Sequence, residues 1–289
     1  MFSSQAARQR FVLLLVSIVV LTVAGPFAGA AFASLPPAGG GGGHSKQSET
    51  ASQHAAVPPP KAARPATQSI GYDISWPQCP QDQKPSGSVN WVILGVTGGK
   101  PTTLNPCLPQ QAAWAKTAGT LPQLYMNVAG VPAGYDSPLC AASDTPCQAY
   151  QFGANSAASS LRYAAESGVT ASNWWLDVET GNYWTSDHFL NERVIAGAIE
   201  TLQSTGHNVG IYSTPLQWSI IAGGFAPKLN VWTAGAEDVY DAAARCNPKY
   251  SFGGGLVALV QYVSEEFDMS YVCPFVVPTH SVTVSGVSN

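Results

Sequence analysis

The chain has 289 residues, of which 45% are hydrophobic and 10% are charged, and its formal net charge is −4. From Ile70 onward, eight Lys and Arg residues stand against sixteen Asp and Glu residues, a net charge of −8 for that part. Because a nucleic-acid-binding domain needs a basic surface, this charge excludes nucleic acid as a partner.

The first 33 residues have the three parts of a secretory signal peptide. Arg8 and Arg10 precede an apolar run that begins at Phe11, and small residues follow it up to Ala33. We therefore predict a signal peptide over 1–33, removed after Ala33, and a protein that is secreted or associated with the cell envelope. The apolar run is short for a stable membrane span, and an uncleaved N-terminal anchor is the alternative.

The next segment, 34–69, has the composition of a linker. It contains five consecutive glycines and a run of prolines, with almost nothing that could form a core. We predict a disordered Gly/Pro-rich linker there, a folded domain over 70–275 and a C-terminal tail over 276–289.

All six cysteines lie in the predicted domain. An even number of cysteines in an exported chain predicts disulfide bonds. Several pairings are possible, and proximity along the chain favours Cys79 with Cys107, Cys140 with Cys147, and Cys246 with Cys273. No C-x-x-C pair is present and the histidines are scattered, so we predict no metal site and no cofactor.

Short β-rich segments alternate with longer segments of helical spacing. The predicted strands are 69–75, 89–97, 122–129, 173–180, 208–214, 229–236 and 255–263, with a short eighth near 270–273. The predicted helices are 108–119, 150–168, 186–206, 214–224 and 237–245. This alternation indicates an α/β fold with a parallel sheet, either doubly wound or closed into a barrel.

The fourth predicted strand, NWWLDVET at 173–180, carries two acids on one face. Since residues two apart on a strand share a face, Trp175, Asp177 and Glu179 point one way, while Trp174, Leu176 and Val178 point toward the helices. Asp73 occupies a similar position at the end of the first strand.

Two carboxylates this close influence each other's proton affinity. Their Cα atoms lie roughly 6.6 Å apart on an extended strand. Mutual repulsion raises one pKa, so that one acid keeps a proton while the other is ionised, and cleavage of a glycosidic bond requires this combination. The structural alternative is that Asp177 and Glu179 cap a helix or pair with Arg162 or Arg193.

Four segments resemble, in chain order, the signature strands of the glycoside hydrolase family 25 lysozymes. They are GYDIS at 71–75, WLDVET at 175–180, GIYST at 210–214 and QYVSEEFD at 261–268. The resemblance is closer still to the glycoside-hydrolase-like domains of secreted actinobacterial proteins. It implies a single (β/α) TIM-type barrel, irregular or with fewer than eight helices, that binds or hydrolyses β-1,4-linked N-acetylated glycan such as peptidoglycan.

The resemblance also implies roles for individual residues. Glu179 matches the general acid, Asp177 the carboxylate that assists the substrate's acetamido group or acts as nucleophile, and Asp73 the supporting acid of the first strand. The residues expected to bind substrate are Tyr125, Asn127, Tyr212, Trp232, Gln261 and Asp268. We expect the acids to lie unburied at the mouth of the barrel of a monomeric protein.

The third-strand segment, LYMNVA at 124–129, departs from the more aromatic run of the lysozymes. Activity therefore does not follow from the resemblance alone. The alternative to an enzyme is a non-catalytic glycan-binding barrel of the cell envelope, which would retain the same acids.

Overall fold

The computed structural model describes residues 69–86, 89–117, 121–264 and 267–274. All of them lie in the unit that spans Pro59–Asn289. The predicted signal peptide, the linker before residue 69 and the C-terminal tail lie outside the described residues, so those boundaries stay predictions. Among the described residues, no helix has both the length and the apolar character that a bilayer span requires.

Eight strands form a closed barrel in chain order. Their bounds are β1 Ile70–Ile74, β2 Val92–Gly95, β3 Gln123–Asn127, β4 Asn173–Asp177, β5 Asn208–Ser213, β6 Asn230–Ala236, β7 Val257–Val263 and β8 Asp268–Val272. Each lies within, or overlaps, a segment that the sequence predicts to be a strand.

The first seven strands are parallel, and β8 runs antiparallel to both of its neighbours, β7 and β1. The described residues between β7 and β8 contain no α-helix, and β8 pairs with both β7 and β1 to close the barrel. Because β8 is reversed, its first residue, Asp268, lies at the edge where the parallel strands end.

The described residues contain five α-helices. They are α1 Leu108–Thr117, α2 Thr145–Glu166, α3 His188–Ser204, α4 Pro215–Ala222 and α5 Val239–Ala244. A short 3-10 helix, Trp76–Gln81, stands between β1 and β2 in place of an α-helix. The prediction of an irregular TIM-type barrel is therefore confirmed.

The helix starts follow capping chemistry. Asp187 caps α3 by accepting hydrogen bonds from the backbone N–H groups of Phe189 and Leu190, as the sequence allows. The start of α2 is five residues earlier than predicted, because the Asp144 side chain accepts the N–H of Cys147 and begins the helix there.

The two faces of β4 separate as the alternation predicts. Trp174, Leu176 and Val178 belong to the main core between the barrel and its helices. Trp175 points into the barrel, where it forms a small inner cluster with residues of the other strands, namely Ile93, Trp232, Ala258 and Leu259. The interior below the acids is therefore packed with side chains, as expected for a barrel of this size.

Helices α2 and α3 approach each other through paired glycines. A Cβ atom added to Gly153 would lie 1.9 Å from the carbonyl oxygen of Val194, and one added to Gly197 would lie 2.1 Å from that of Tyr150. Only residues without a Cβ allow this contact, so these two glycines set the separation of the two longest helices.

The three disulfides favoured by chain proximity are present. The pair Cys79 and Cys107 joins the 3-10 segment after β1 to the start of α1, and Cys140 and Cys147 tie the loop that precedes α2. The pair Cys246 and Cys273 joins the end of α5 to the end of β8.

Candidate active site

Strand register brings two acids directly opposite each other where β8 closes on β1. Asp73 is the register partner of Asp268 across this antiparallel pair. Gln261 of β7 donates a hydrogen bond from Nε2 to Asp73 Oδ1 at 3.1 Å, and its Oε1 accepts the hydroxyl of Tyr212 at 2.6 Å. The other oxygen of Asp73, Oδ2, is buried and has no hydrogen-bond partner among the described residues.

A third acid lies at the same end of the barrel, at the end of β4. Asp177 ends β4 and is in register with Asn127 of β3 on one side and Tyr212 of β5 on the other. Asn127 donates a short hydrogen bond from Nδ2 to Asp177 Oδ2. Asp177 Oδ1 is buried without a hydrogen-bond partner in the described part of the chain.

Glu179 follows β4 and is oriented by a residue that the sequence reasoning missed. Gln217 accepts the backbone N–H and the hydroxyl of Thr180 on its Oε1, at 2.7 and 2.9 Å, so its Nε2 faces Glu179 Oε1 at 3.4 Å. Thr214 and Gln217 have the spacing of a capping box at the start of α4, a visible signal. That motif predicts that Gln217 folds back on its own helix, whereas its side chain contacts the β4 segment instead.

The pKa values of all four acids are raised. Burial is the largest cause for each one. The negative charge of Asp268 adds to the rise at Asp73, and the charges of Glu179 and Asp73 add to the rise at Asp177. The pKa of Glu179 rises less because the hydrogen bond from Gln217 favours its ionised form.

No cation offsets these charges within the described residues. The two ion pairs found there join Lys84 to Asp82 and Arg245 to Asp241, both away from the acids. The alternative pairing with Arg193 is not formed, since that guanidinium lies over the Tyr150 ring at 4.9 Å. Nor do the described residues contain a cluster of His, Cys, Asp and Glu able to hold a metal ion.

The expectation that the acids lie unburied is wrong for two of them. Asp73 is 7% exposed and Asp177 is 6% exposed. Strand alternation correctly places them on the inner face, but amide and aromatic side chains from neighbouring strands cover them there. Glu179, two residues beyond the end of β4, is only partly buried.

The expected sugar-stacking role of Trp232 does not fit its position. Its ring is 2% exposed, packs 4.5 Å from the Tyr212 ring and 5.7 Å from the Trp175 ring, and donates its N–H to Ser270 at 2.9 Å. Tyr125 and Tyr212 are partly buried against the same inner cluster. Trp232 therefore fills the barrel rather than facing a ligand.

Two exposed aromatic residues were missed. Trp76 lies in the 3-10 segment after β1, and Tyr183 lies in the loop after β4. Both follow strands that carry an acid, so both belong to the end of the barrel where the acids lie.

Comparison with known proteins finds similarity to the family that the acid pattern resembles. Residues 144–249 match the family model described as "Lysozyme-like protein 1". The chain is 32% identical over 91 residues to "Probable GH family 25 lysozyme 4" of Dictyostelium discoideum, which covers 30% of this chain and 40% of that protein. The chain resembles the glycoside hydrolase family 25 lysozymes.

A second curated protein and a solved structure are also similar to this chain. "Lysozyme-like protein 5" of Caenorhabditis elegans is 31% identical over 105 residues, covering 35% of this chain and 46% of that protein. The chain thus spans less than half the length of both curated relatives. A solved bacterial lysozyme from Streptomyces coelicolor is 18% identical, with a TM-score of 0.43 over 70% of this chain and 91% of that chain.

The family match covers only part of the acid cluster. Its range, 144–249, contains Asp177, Glu179 and Gln217, but Asp73 and Asp268 lie outside it. Those two acids enter the cluster through the register of β1 with β8, which the structure alone provides.

Proposed function

We propose that the protein is an exported glycoside hydrolase that cleaves β-1,4-linked N-acetylated glycan of the cell wall, such as peptidoglycan. The observation that carries the proposal is the position of Asp177 and Glu179 at the carboxyl end of β4, where burial raises both pKa values and no described residue pairs with them as a cation. The similarity to family 25 lysozymes supports the same substrate class.

In this proposal the acids have separate roles. A pair that shares one proton near neutral pH provides a proton for the leaving oxygen and a carboxylate that stabilises positive charge at the sugar. Glu179 is the proton donor because it is the more accessible of the two and lies beyond the strand end. Asp177 is the stabilising carboxylate, and Asp73 and Asp268 lie at the same end of the barrel.

The surface that holds the glycan differs from the one expected. Trp76 and Tyr183 are exposed and follow acid-bearing strands, so they are better placed than Trp232 to stack on sugar rings. Asn127 and Gln261, expected to bind substrate, each donate a hydrogen bond to an acid instead. We therefore propose that these two amides orient the acids rather than the sugar.

The decisive experiment compares purified wild type with Glu179→Gln on peptidoglycan from several bacteria and on chitin. Loss of turbidity and release of reducing sugar should occur with wild type and fall by two orders of magnitude or more, roughly, in the variant. Glu166→Gln is the matched control, because Glu166 is an exposed acid at the end of α2 and should keep wild-type activity.

One observation favours a second function, binding of glycan without cleavage. Asp177 is closed off from solvent, whereas a stabilising carboxylate must approach the reacting sugar. If wild type releases no sugar from any glycan but sediments with one of them, and Trp76→Ala abolishes sedimentation, the protein is a binding module and the hydrolase proposal fails.

Export is supported by the three disulfides, which form and persist in oxidising compartments. N-terminal sequencing of protein recovered from the culture medium should begin at Ser34 if the signal peptide is removed after Ala33. Recovery of full-length chain in the membrane fraction alone would instead identify an uncleaved anchor.

A further inference from the structure

Thr97, Asn127 and Asp177 form a chain of hydrogen bonds inside the barrel. All three are buried, at 0%, 7% and 6% exposure. Asn127 donates its backbone N–H to Thr97 Oγ1 at 2.9 Å, and Thr97 Oγ1 lies 2.6 Å from Asn127 Oδ1. The third bond joins Asn127 Nδ2 to Asp177 Oδ2.

The direction of each bond follows from the donors available. A backbone N–H can only donate, so the Thr97 oxygen accepts there and its own proton is free for Asn127 Oδ1. The amide oxygen of Asn127 therefore faces Thr97, and its NH₂ group faces Asp177. The neighbouring backbone thus determines which end of the amide the acid meets.

This arrangement makes the two oxygens of Asp177 unequal. Oδ2 is an acceptor of the Asn127 amide, whereas Oδ1 is buried with no partner in the described residues. An ionised oxygen in that position would be costly, while a protonated one can donate to a neighbouring carboxylate. Asp177 and Glu179 are close enough to interact, and two carboxylates can hydrogen-bond only when one carries a proton.

None of the other titratable groups described around Asp177 favours loss of its proton. Asp73 of β1 raises the pKa of Asp177 further, after burial and Glu179. Tyr125 of β3 and Tyr212 of β5 have pKa values raised by burial and stay neutral. Asp268 of β8 is a fourth acid with a raised pKa.

We infer that Thr97 and Asn127 are positioning residues that direct the proton carried by Asp177 in the resting acid pair to Oδ1, because Oδ2 accepts the Asn127 amide. In the free protein Asp177 donates this proton to the Glu179 carboxylate. This inference rests on the proposed hydrolase function and adds where the proton lies before the reaction. Glu179 can donate a proton to the leaving oxygen only after that proton has moved to it from Asp177. In that step the O–H bond of Asp177 breaks, an O–H bond forms on Glu179, and Asp177 is left as the carboxylate that stabilises the sugar.

The test is a carboxyl titration of the folded, full-length protein by carbon NMR, without substrate. Signals are assigned with Asp177→Asn and Glu179→Gln. In wild type, Asp177 should release its proton at a higher pH than Glu179. Asn127→Leu removes the donor to the ionised form, so the proton affinity of Asp177 should increase by about tenfold or more.

Thr97→Val and Thr97→Ser form a matched pair that does not depend on the folding of the Asn127 variant. The valine has the shape of threonine but no hydroxyl, so the amide loses its fixed orientation and the titrations of Asp177 and Glu179 should both shift. The serine keeps the hydroxyl and should titrate as wild type. Thr205→Val, a remote change at the end of α3, should have no effect.

Three results would overturn the inference. They are an Asp177 that titrates below Glu179 in wild type, titrations that Thr97→Val leaves unchanged, or a Thr97→Ser variant that behaves like Thr97→Val. Since no glycan is present, none of these results depends on whether the protein cleaves one. A wild type that cuts nothing but titrates as expected would refute the hydrolase proposal and leave the placement of the proton intact.

Discussion

The substitution Asp73→Asn should stabilise the protein at alkaline pH and leave it nearly unchanged in acid. Asp73 is buried, lies opposite Asp268, and has one oxygen without a hydrogen-bond partner in the described residues. Burial and the charge of Asp268 raise its pKa in the folded state. Asparagine has the same shape but no charge, so it removes the cost of ionising this position.

The sign follows from proton binding. Below about pH 4, the ordinary Asp pKa, both the folded and the unfolded chain hold this proton and Asp73 contributes no pH dependence. At higher pH the unfolded chain releases the proton while the folded chain keeps it, so the free energy of unfolding falls as pH rises. The fall is about 1.4 kcal/mol per pH unit, and it continues until the raised folded-state pKa is passed.

Urea denaturation at pH 4 and pH 8 measures this effect. The difference in unfolding free energy between Asp73→Asn and wild type should be larger at pH 8, by more than the ~0.5 kcal/mol typical of surface changes. Glu166→Gln serves as the control for the loss of one negative charge at the surface. If Asp73→Asn changes no more with pH than Glu166→Gln, Asp73 is not held protonated by its surroundings.

Three other predictions concern the acid, the helices and the disulfides. Gln217→Met removes a hydrogen bond that lowers the pKa of Glu179, so the alkaline limb of the pH–activity profile should move to higher pH; an unmoved limb would mean that Gln217 does not act on this acid. Gly153→Ala should lower the free energy of unfolding by about 2 kcal/mol through overpacking of α2 on α3, whereas Gly224→Ala, which has open space around it, should cost far less. Reduction of the three disulfides should cost about 2–4 kcal/mol each in denaturant melts, and an unchanged midpoint would contradict this.

Local patterns in the sequence predicted much of the barrel. The alternation of NWWLDVET correctly placed Trp174, Leu176 and Val178 against the helices, because side-chain direction on a strand depends only on position along it. Proximity along the chain predicted the disulfides correctly, since each bond joins two cysteines that are neighbours among the six in the sequence.

Properties that depend on strand register could not be predicted in the same way. The burial of Asp177 results from Asn127 and Tyr212, which meet it only in the assembled sheet. Likewise, the packing of Trp232 against Trp175 is a property of the closed barrel and not of β6 alone. Alternation indicates which face a side chain takes, but not how many neighbours cover it.

The reversed direction of β8 has a practical consequence for handling the protein. Ile70, at the start of β1, is in register with Tyr271 near the end of β8, so the chain enters and leaves the barrel at the same end. Asp73 and Asp268 lie toward the opposite end. A label, a resin linkage or a fused domain attached before Ile70 or after Cys273 would therefore leave the acid-bearing end open to large insoluble polymers, which is the orientation that an assay on intact cell walls requires.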